Sequence, residues 1–188
     1  NGQHGSGVVF LMDGGSNNDD LRGGNSGPQA RPALESIQEF QVITNQYDAE
    51  YGRGSGGIIN AITRQGTNAL RGSAFGFFTN SSMTAPNFFT RQQNLEQPDT
   101  QKKQWGGTIG GPIARDKAHF FFSFERFDRD EGRTRVHPTR PDRDFSTTLQ
   151  GNSFNYLWRF DHQLNSSHNY SVRYLWDHQP DYNQVTSG

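Results

Sequence analysis

Phe154-Asn-Tyr-Leu-Trp-Arg-Phe-Asp161 is followed, after a short break, by Asn169-Tyr-Ser-Val-Arg-Tyr-Leu-Trp-Asp177. In the first run Phe154, Tyr156, Trp158 and Phe160 alternate with Asn155, Leu157, Arg159 and Asp161. In the second, Tyr170, Val172, Tyr174 and Trp176 alternate with Asn169, Ser171, Arg173, Leu175 and Asp177. A period of two makes each run a strand with an aromatic face and a charged face. A soluble sheet buries such an aromatic face; a membrane strand turns it to lipid and its charges to a wet lumen. The rest of the chain decides between the two.

Of 188 residues, 30% are hydrophobic, and no apolar run approaches the roughly 18 residues that a spanning helix needs. A mean hydropathy of −0.91 does not exclude a barrel, whose alternation and polar loops dilute the signal. Eighteen basic and 19 acidic residues are well mixed, which argues against a nucleic-acid partner. Cysteine is absent, so disulfide scaffolds and thiolate metal sites are excluded. The chain opens on Asn1 without a signal-like region and closes on Gly188 just after a strand, so it reads as an internal segment.

Up to about Gln65 the pattern is mixed. Gly7–Met12, Ser36–Ile43 and Gly57–Arg64 read as strands, Gly14–Arg31 as a loop, and Asn45–Tyr51 as a helical turn closed by Gly52. Beyond Gly66 the candidate strands are Leu70–Thr79, Lys103–Ile113, His119–Phe127, Phe154–His162 and His168–Asp177. Most approach the roughly 9–11 residues that a tilted strand needs to cross a bilayer. Their connections alternate: Asn80–Lys102 long, Ala114–Ala118 short, Asp128–Ser153 long, Gln163–Ser167 short. Tight turns at one end and long loops at the other describe an outer-membrane barrel, whereas a compact soluble domain keeps most connections short.

Phe120, Phe122 and Phe124 form one face of their strand, with Ser123 and Glu125 on the other. An unpaired arginine facing lipid near mid-bilayer costs roughly 2–4 kcal/mol. Glu125, Arg159, Asp161, Arg173 and Asp177 are therefore the candidate lumen-facing residues. Phe120, Phe122, Phe124, Tyr156, Trp158, Phe160, Tyr170, Tyr174 and Trp176 are the candidate lipid-facing ones. A turn centred near Asn165 pairs Phe160 with Tyr170 and Tyr156 with Tyr174. In Lys103–Ile113 the bulky Trp105, Ile109 and Ile113 are odd-numbered, and join the Phe120 face only through an even-length turn. The large aromatics of Leu70–Thr79 fall on both faces.

The ordered series Ile37-Gln-Glu-Phe-Gln-Val-Ile43, then Tyr47-Asp-Ala-Glu-Tyr-Gly-Arg-Gly-Ser-Gly-Gly-Ile-Ile-Asn-Ala-Ile-Thr-Arg-Gln-Gly-Thr-Asn68, then Arg71-Gly-Ser-Ala-Phe-Gly-Phe-Phe78 resembles the plug-to-barrel join of TonB-dependent outer-membrane receptors. It is most similar to the Oar-like group. Met12-Asp13-Gly14 resembles an earlier strand end of the plug. Trp105-Gly-Gly-Thr-Ile-Gly-Gly-Pro-Ile113, with Phe120-Phe-Phe-Ser-Phe-Glu125, resembles the second and third barrel strands. The likeness runs from about Val8 to about Gln179.

The resemblance implies a mainly β fold: a partial transmembrane antiparallel β-barrel over 67–188, preceded by part of a small α+β plug domain over 1–66. It implies a location in the outer membrane of a Gram-negative bacterium. Its implied partners are outer-membrane lipid, an imported ligand of unspecified chemistry, and an inner-membrane TonB complex reached through an N-terminal part outside this stretch. Glu50, Tyr51, Gly52, Arg53 and Gly57 form the plug motif. Glu50 and Arg53 either pair with lumen charges such as Arg159, Asp161 or Arg173, or are solvated turn residues. A non-transporting outer-membrane or surface protein that adheres through long loops is the alternative.

Enzyme readings find little support. Gly52-Arg-Gly-Ser-Gly-Gly57 matches a dinucleotide-binding pattern, but a strand follows it where a helix is required. Asp13, Asn17, Asn18, Asp19 and Asp20 offer oxygen ligands without EF-hand spacing. The histidines are scattered, and no nucleophile-elbow spacing occurs. No cofactor, catalytic site or metal site is expected. Expressed alone, the segment leaves sheet edges unpaired and is expected in inclusion bodies. Detergent-free fractionation checks this, and a soluble, cooperatively melting monomer is the contrary result.

Overall fold

The computed structural model describes residues 7–19, 27–44, 56–86, 88–92, 99–135 and 145–182, and every structural statement below concerns these residues. They form two sheets, the architecture expected of a small plug-like sheet with part of a barrel wall. No helix among them is long and apolar enough to cross a membrane, which says nothing of a β-barrel.

The small sheet has β1 (Val8–Met12), β2 (Gly15–Ser16), β3 (Ile37–Ile43) and β4 (Gly57–Thr63) in the order β2-β1-β4-β3. Asp13 and Gly14 join β1 to β2, both with positive φ (47° and 80°), as a two-residue type I′ hairpin turn requires. Within the expected loop at Gly14–Arg31, the chain thus turns back first as a strand. β1 lies parallel to β4, Val8 opposite Gly57 and Met12 opposite Ala61, and β3 is antiparallel to β4. Val9, Leu11 and Ile58 form the sheet's core, with Ile43 packed against them. Gly57 sits at φ 151°, and a Cβ there would approach the Ile43 carbonyl at 3.3 Å, so glycine is required. The expected helical turn at Asn45–Tyr51, and with it Glu50, Tyr51, Gly52 and Arg53, lies outside the described residues.

The large sheet contains β5 (Arg71–Asn80), β6 (Gln101–Ala114), β7 (Ala118–Arg135), β8 (Phe145–Gln163), β9 (Asn169–His178) and β10 (Asp181–Tyr182). Its order is β10-β8-β7-β6-β5, with β9 also paired to β8. The β5–β6 connection carries a 3₁₀ turn at Ser81–Met83 and a short helix α1 (Phe88–Gln92). Differing from the expected 128–153 loop, β7 and β8 run on for 18 and 19 residues. Backbone ladder bonds extend the hairpin through Arg126–Arg135, where charge and turn composition indicate a loop.

The chain divides into two compact units. The first holds residues 1–73, 108–124 and 155–177; the second holds 74–107, 125–154 and 178–188. In the first, the backbone of Lys117 donates to the Ala114 carbonyl, a tight turn with Asp116 at φ 60°. Its two central residues give the even length that brings odd positions of β6 and even positions of β7 to one side. Ile109, Ile113 and Phe122 are accordingly all exposed. The β8–β9 turn closes with Leu164 N donating to His168 O (2.9 Å). Trp158 packs on Tyr174 and His162 on Tyr170, two residues away from the pairing expected at the sequence level. A two-residue shift keeps every side chain on its face.

The linker between the sheets meets the wall by direct backbone packing. A Cβ at Gly66 would lie 2.2 Å from the Phe120 carbonyl oxygen and 2.9 Å from that of Gly111. Asn68 clamps the adjacent turn: its Oδ1 accepts from Asp116 N (2.8 Å), its amide donates to the Asp116 carboxylate, and His119 Nε2 lies 2.8 Å away. Gly66→Ala therefore displaces backbone rather than a flexible side chain. It is expected to cost at least about 1–3 kcal/mol, read as a lower thermal midpoint of the full-length protein in detergent. Gly76→Ala, where a Cβ meets nothing within 4 Å, is the matched control.

Candidate functional site

The Asp13 carboxylate ties the small sheet to the wall. The left-handed turn at Asp13 aims its side chain along the end of β4, where Thr63 N donates to Oδ1 (2.8 Å) and Thr63 Oγ1 to Oδ2 (2.6 Å). From β9, the Arg173 guanidinium bonds to Asp13 Oδ2 and reaches toward the Met12 carbonyl (3.4 Å). From β8, Arg159 Nη1 lies 3.8 Å from the same oxygen and donates to both the carbonyl and hydroxyl of Thr63, each at 3.0 Å. Arg159 Nε and Nη2 hold Asp161 at 2.9–3.0 Å, and Nη2 faces Gln65 at 3.5 Å. The planar fork of arginine makes this division possible, with one edge on a carboxylate and the other on the neighbouring strand end.

Two further ties run parallel to this one. Asn155 Oδ1 accepts from Ala33 N (3.1 Å) while its amide donates to the Arg31 carbonyl. Asp177 Oδ2 accepts from Arg31 N (3.0 Å). Leu157, which shares a strand face with Asn155 and Arg159, is fully buried. In these polar contacts Arg159, Asp13, Asp161 and Arg173 keep 15, 17, 21 and 29% of their side-chain surface.

The candidate residues distribute as follows. Arg159, Asp161, Arg173 and Asp177 meet at or beside the small sheet, and Glu125, in the second unit, accepts from Gln104 Nε2 (3.1 Å). Trp158, Tyr170, Tyr174, Trp176 and Phe122 are exposed, and Phe120, Phe124, Tyr156 and Phe160 half-buried. Phe124 packs on Tyr156 (5.1 Å) and Phe160 on Tyr170 (6.1 Å). Sequence reasoning missed Asp13 as the partner of the two arginines. The Asp-Gly hairpin signal was present, but nothing local reveals a partner some 160 positions away. The oxygen-rich stretch after Asp13 serves the loop itself: Asn17 brackets Ala30 (2.9 and 3.0 Å), and Asn18 accepts from Phe10 N (2.9 Å).

A small mixed sheet tied by charges to an antiparallel wall is the arrangement of a plug-like sheet with part of a β-barrel. Residues 62–152 match the family model described as outer membrane beta barrel domain. The TonB-dependent transporter Oar of Myxococcus xanthus is 35% identical over 119 residues, covering 61% of this chain and 11% of Oar. The siderophore receptor PirA of Acinetobacter baumannii superposes with a TM-score of 0.65 at 17% identity, over 94% of this chain and 24% of PirA, a likeness of fold. Over these stretches the chain is similar to TonB-dependent outer-membrane receptors, its fold is that of a small plug-like sheet with part of a β-barrel, and its location is the outer membrane. It spans about a tenth of the curated relative's length.

Asp13→Asn removes the charge shared by two arginines and leaves Arg173 without a carboxylate. The cost is expected near ~2 kcal/mol, between an exposed pair at under ~1 and a buried one at ~3–5. Urea unfolding of the small sheet in the full-length protein measures it. A double-mutant cycle with Arg173→Gln should return a coupling of about 1–2 kcal/mol.

Proposed function

We propose that this chain forms the late plug (1–66) and first wall strands (67–188) of an Oar-like receptor that binds a scarce solute and imports it with TonB-derived energy. Glu125, Arg159, Asp161, Arg173 and Asp177 face the lumen. Phe120, Phe122, Phe124, Tyr156, Trp158, Phe160, Tyr170, Tyr174 and Trp176 face lipid. Glu50, Tyr51, Gly52, Arg53 and Gly57 form the plug motif.

The observation that carries this reading is the polar seat around Asp13. A plug that must stay closed at rest and yield under load needs contacts that are directional and exchangeable for water. Hydrogen bonds and partly exposed ion pairs have that property, because water replaces each partner as it leaves. A dry hydrophobic seat would oppose any displacement with its whole buried area. The names of the relatives, a transporter and a siderophore receptor, support the same role.

The adhesion reading draws on one observation. At about 3.3 Å per residue, β7 and β8 are roughly 60 Å long, more than a tilted strand needs for an apolar band of about 25 Å. Such strands project from the membrane. The two readings separate in a strain lacking the encoding gene, alone and combined with loss of TonB. Uptake of ferric siderophore, oligosaccharide, cobalamin and peptide is compared. Import predicts that one solute class is lost in each single strain with no further loss in the double. Unchanged uptake with reduced, TonB-independent surface attachment would establish adhesion.

A further inference from the structure

The side of the wall that carries the small sheet also carries phenylalanines. In the first unit Ser73, Thr108 and Phe121 mark that side, since they line one cleft with Gln38 of β3. Close approaches fix the registers of the strands concerned. A Cβ on Gly111 would lie 3.2 Å from Leu70 Cα, and Ser73 Oγ lies 2.8 Å from Thr108 Oγ1, so β5 and β6 run antiparallel. A Cβ on Gly110 would lie 3.1 Å from the Phe121 ring, which sets β7 against β6. The period of two then leads to Phe75 and Phe77 on β5, Gln104 and Gly106 on β6, and Glu125 and Phe127 on β7. All of these belong to the second unit.

Contacts within the second unit agree with that placement. The Phe75 and Phe77 rings lie 5.9 Å apart on one face of β5, and Gln104 Nε2 donates to Glu125 Oε2 (3.1 Å) between β6 and β7. In this register Phe77 stands opposite Gln104 and Phe75 opposite Gly106. A shelf of two rings therefore flanks a hydrogen-bonded amide and carboxylate, with a position lacking a side chain beside them. Phe77 is 65% exposed. Barrel interiors are polar, so an exposed aromatic pair there calls for an occupant with an apolar face. From Ala118 at the short turn, Glu125 lies seven positions along β7, ~23 Å at ~3.3 Å per residue, toward the long connections.

We infer that this patch of the second unit binds a neutral oligosaccharide. The inference rests on the receptor reading, in which this side faces the lumen and the long connections face outward, and deepens it by naming the class of solute. A sugar ring presents C–H groups on its face, and these stack on the negative faces of phenyl rings. The hydroxyls at its edge each donate and accept. Gln104 keeps a further N–H and its carbonyl, and Glu125 its other oxygen, so donors and acceptors lie side by side. An ammonium ion would use the acceptors alone. An anion would meet the Glu125 carboxylate with no cationic side chain among these six residues.

The test uses the full-length protein in detergent, with maltohexaose and cellohexaose as probes in isothermal titration, and choline and citrate for comparison. Binding of at least one oligosaccharide is expected, weakened about tenfold by Phe77→Ala and by Glu125→Ala and retained by Phe77→Trp. Phe78→Ala, on the opposite face of β5, should leave it unchanged. Thermal midpoints establish that each variant is folded. No binding of either oligosaccharide overturns the site, whether or not choline or citrate binds. So does equal binding in wild type and a folded Phe77→Ala variant, or a loss as large with Phe78→Ala. Uptake is scored separately. TonB-dependent uptake of another solute, with no oligosaccharide bound, sinks this inference alone. Oligosaccharide binding that behaves as expected, without any TonB-dependent uptake, sinks the import reading and leaves the site.

Discussion

The attachment of the small sheet to its wall depends on the carboxylate of Asp13. It satisfies the backbone and hydroxyl of Thr63 within the small sheet and faces Arg173 and Arg159 across the junction. Two arginines on adjacent strands would repel one another in the partly dry space beneath a plug. Asp13 and Asp161 convert that repulsion into a chain of alternating charges, Arg173, Asp13, Arg159, Asp161. The arrangement also orients the small sheet, since a hydrogen-bonded fork admits one approach direction where a hydrophobic patch admits many.

The linker contact is of the opposite kind. Gly66 lies backbone to backbone against Phe120 and Gly111, and Asn68 ties the turn at Asp116. Such packing has no loosened intermediate form, because any separation leaves a void rather than a hydrated pair. The small sheet is thus held by polar ties that tolerate exchange with water and by a close backbone contact that does not.

The aromatic and charged faces were legible because period-two alternation is a property of neighbouring residues. Trp158 beside Arg159 and Tyr174 beside Arg173 announce opposite faces before any partner strand is known. The extent of β7 and β8 was not legible. Asp128–Arg135 has loop composition, and only pairing to another strand makes it a strand; Arg126 there packs over Phe154 (4.5 Å) and holds Asp128 (2.8 Å). The two-residue difference in β8–β9 pairing has a similar origin, since faces constrain register only modulo two.

Local sequence alone determined the β class, the two-residue alternation of the aromatic strands and the break in rhythm near Gly66. All are set by steric preferences and polarity acting over a few residues. Tertiary structure alone decided that Asp13 meets Arg159 and Arg173 and that Gly66 abuts Phe120. Those contacts join positions far apart in the chain, and each depends on where two sheets come to rest. A charge or a glycine, read by itself, carries no record of its eventual partner.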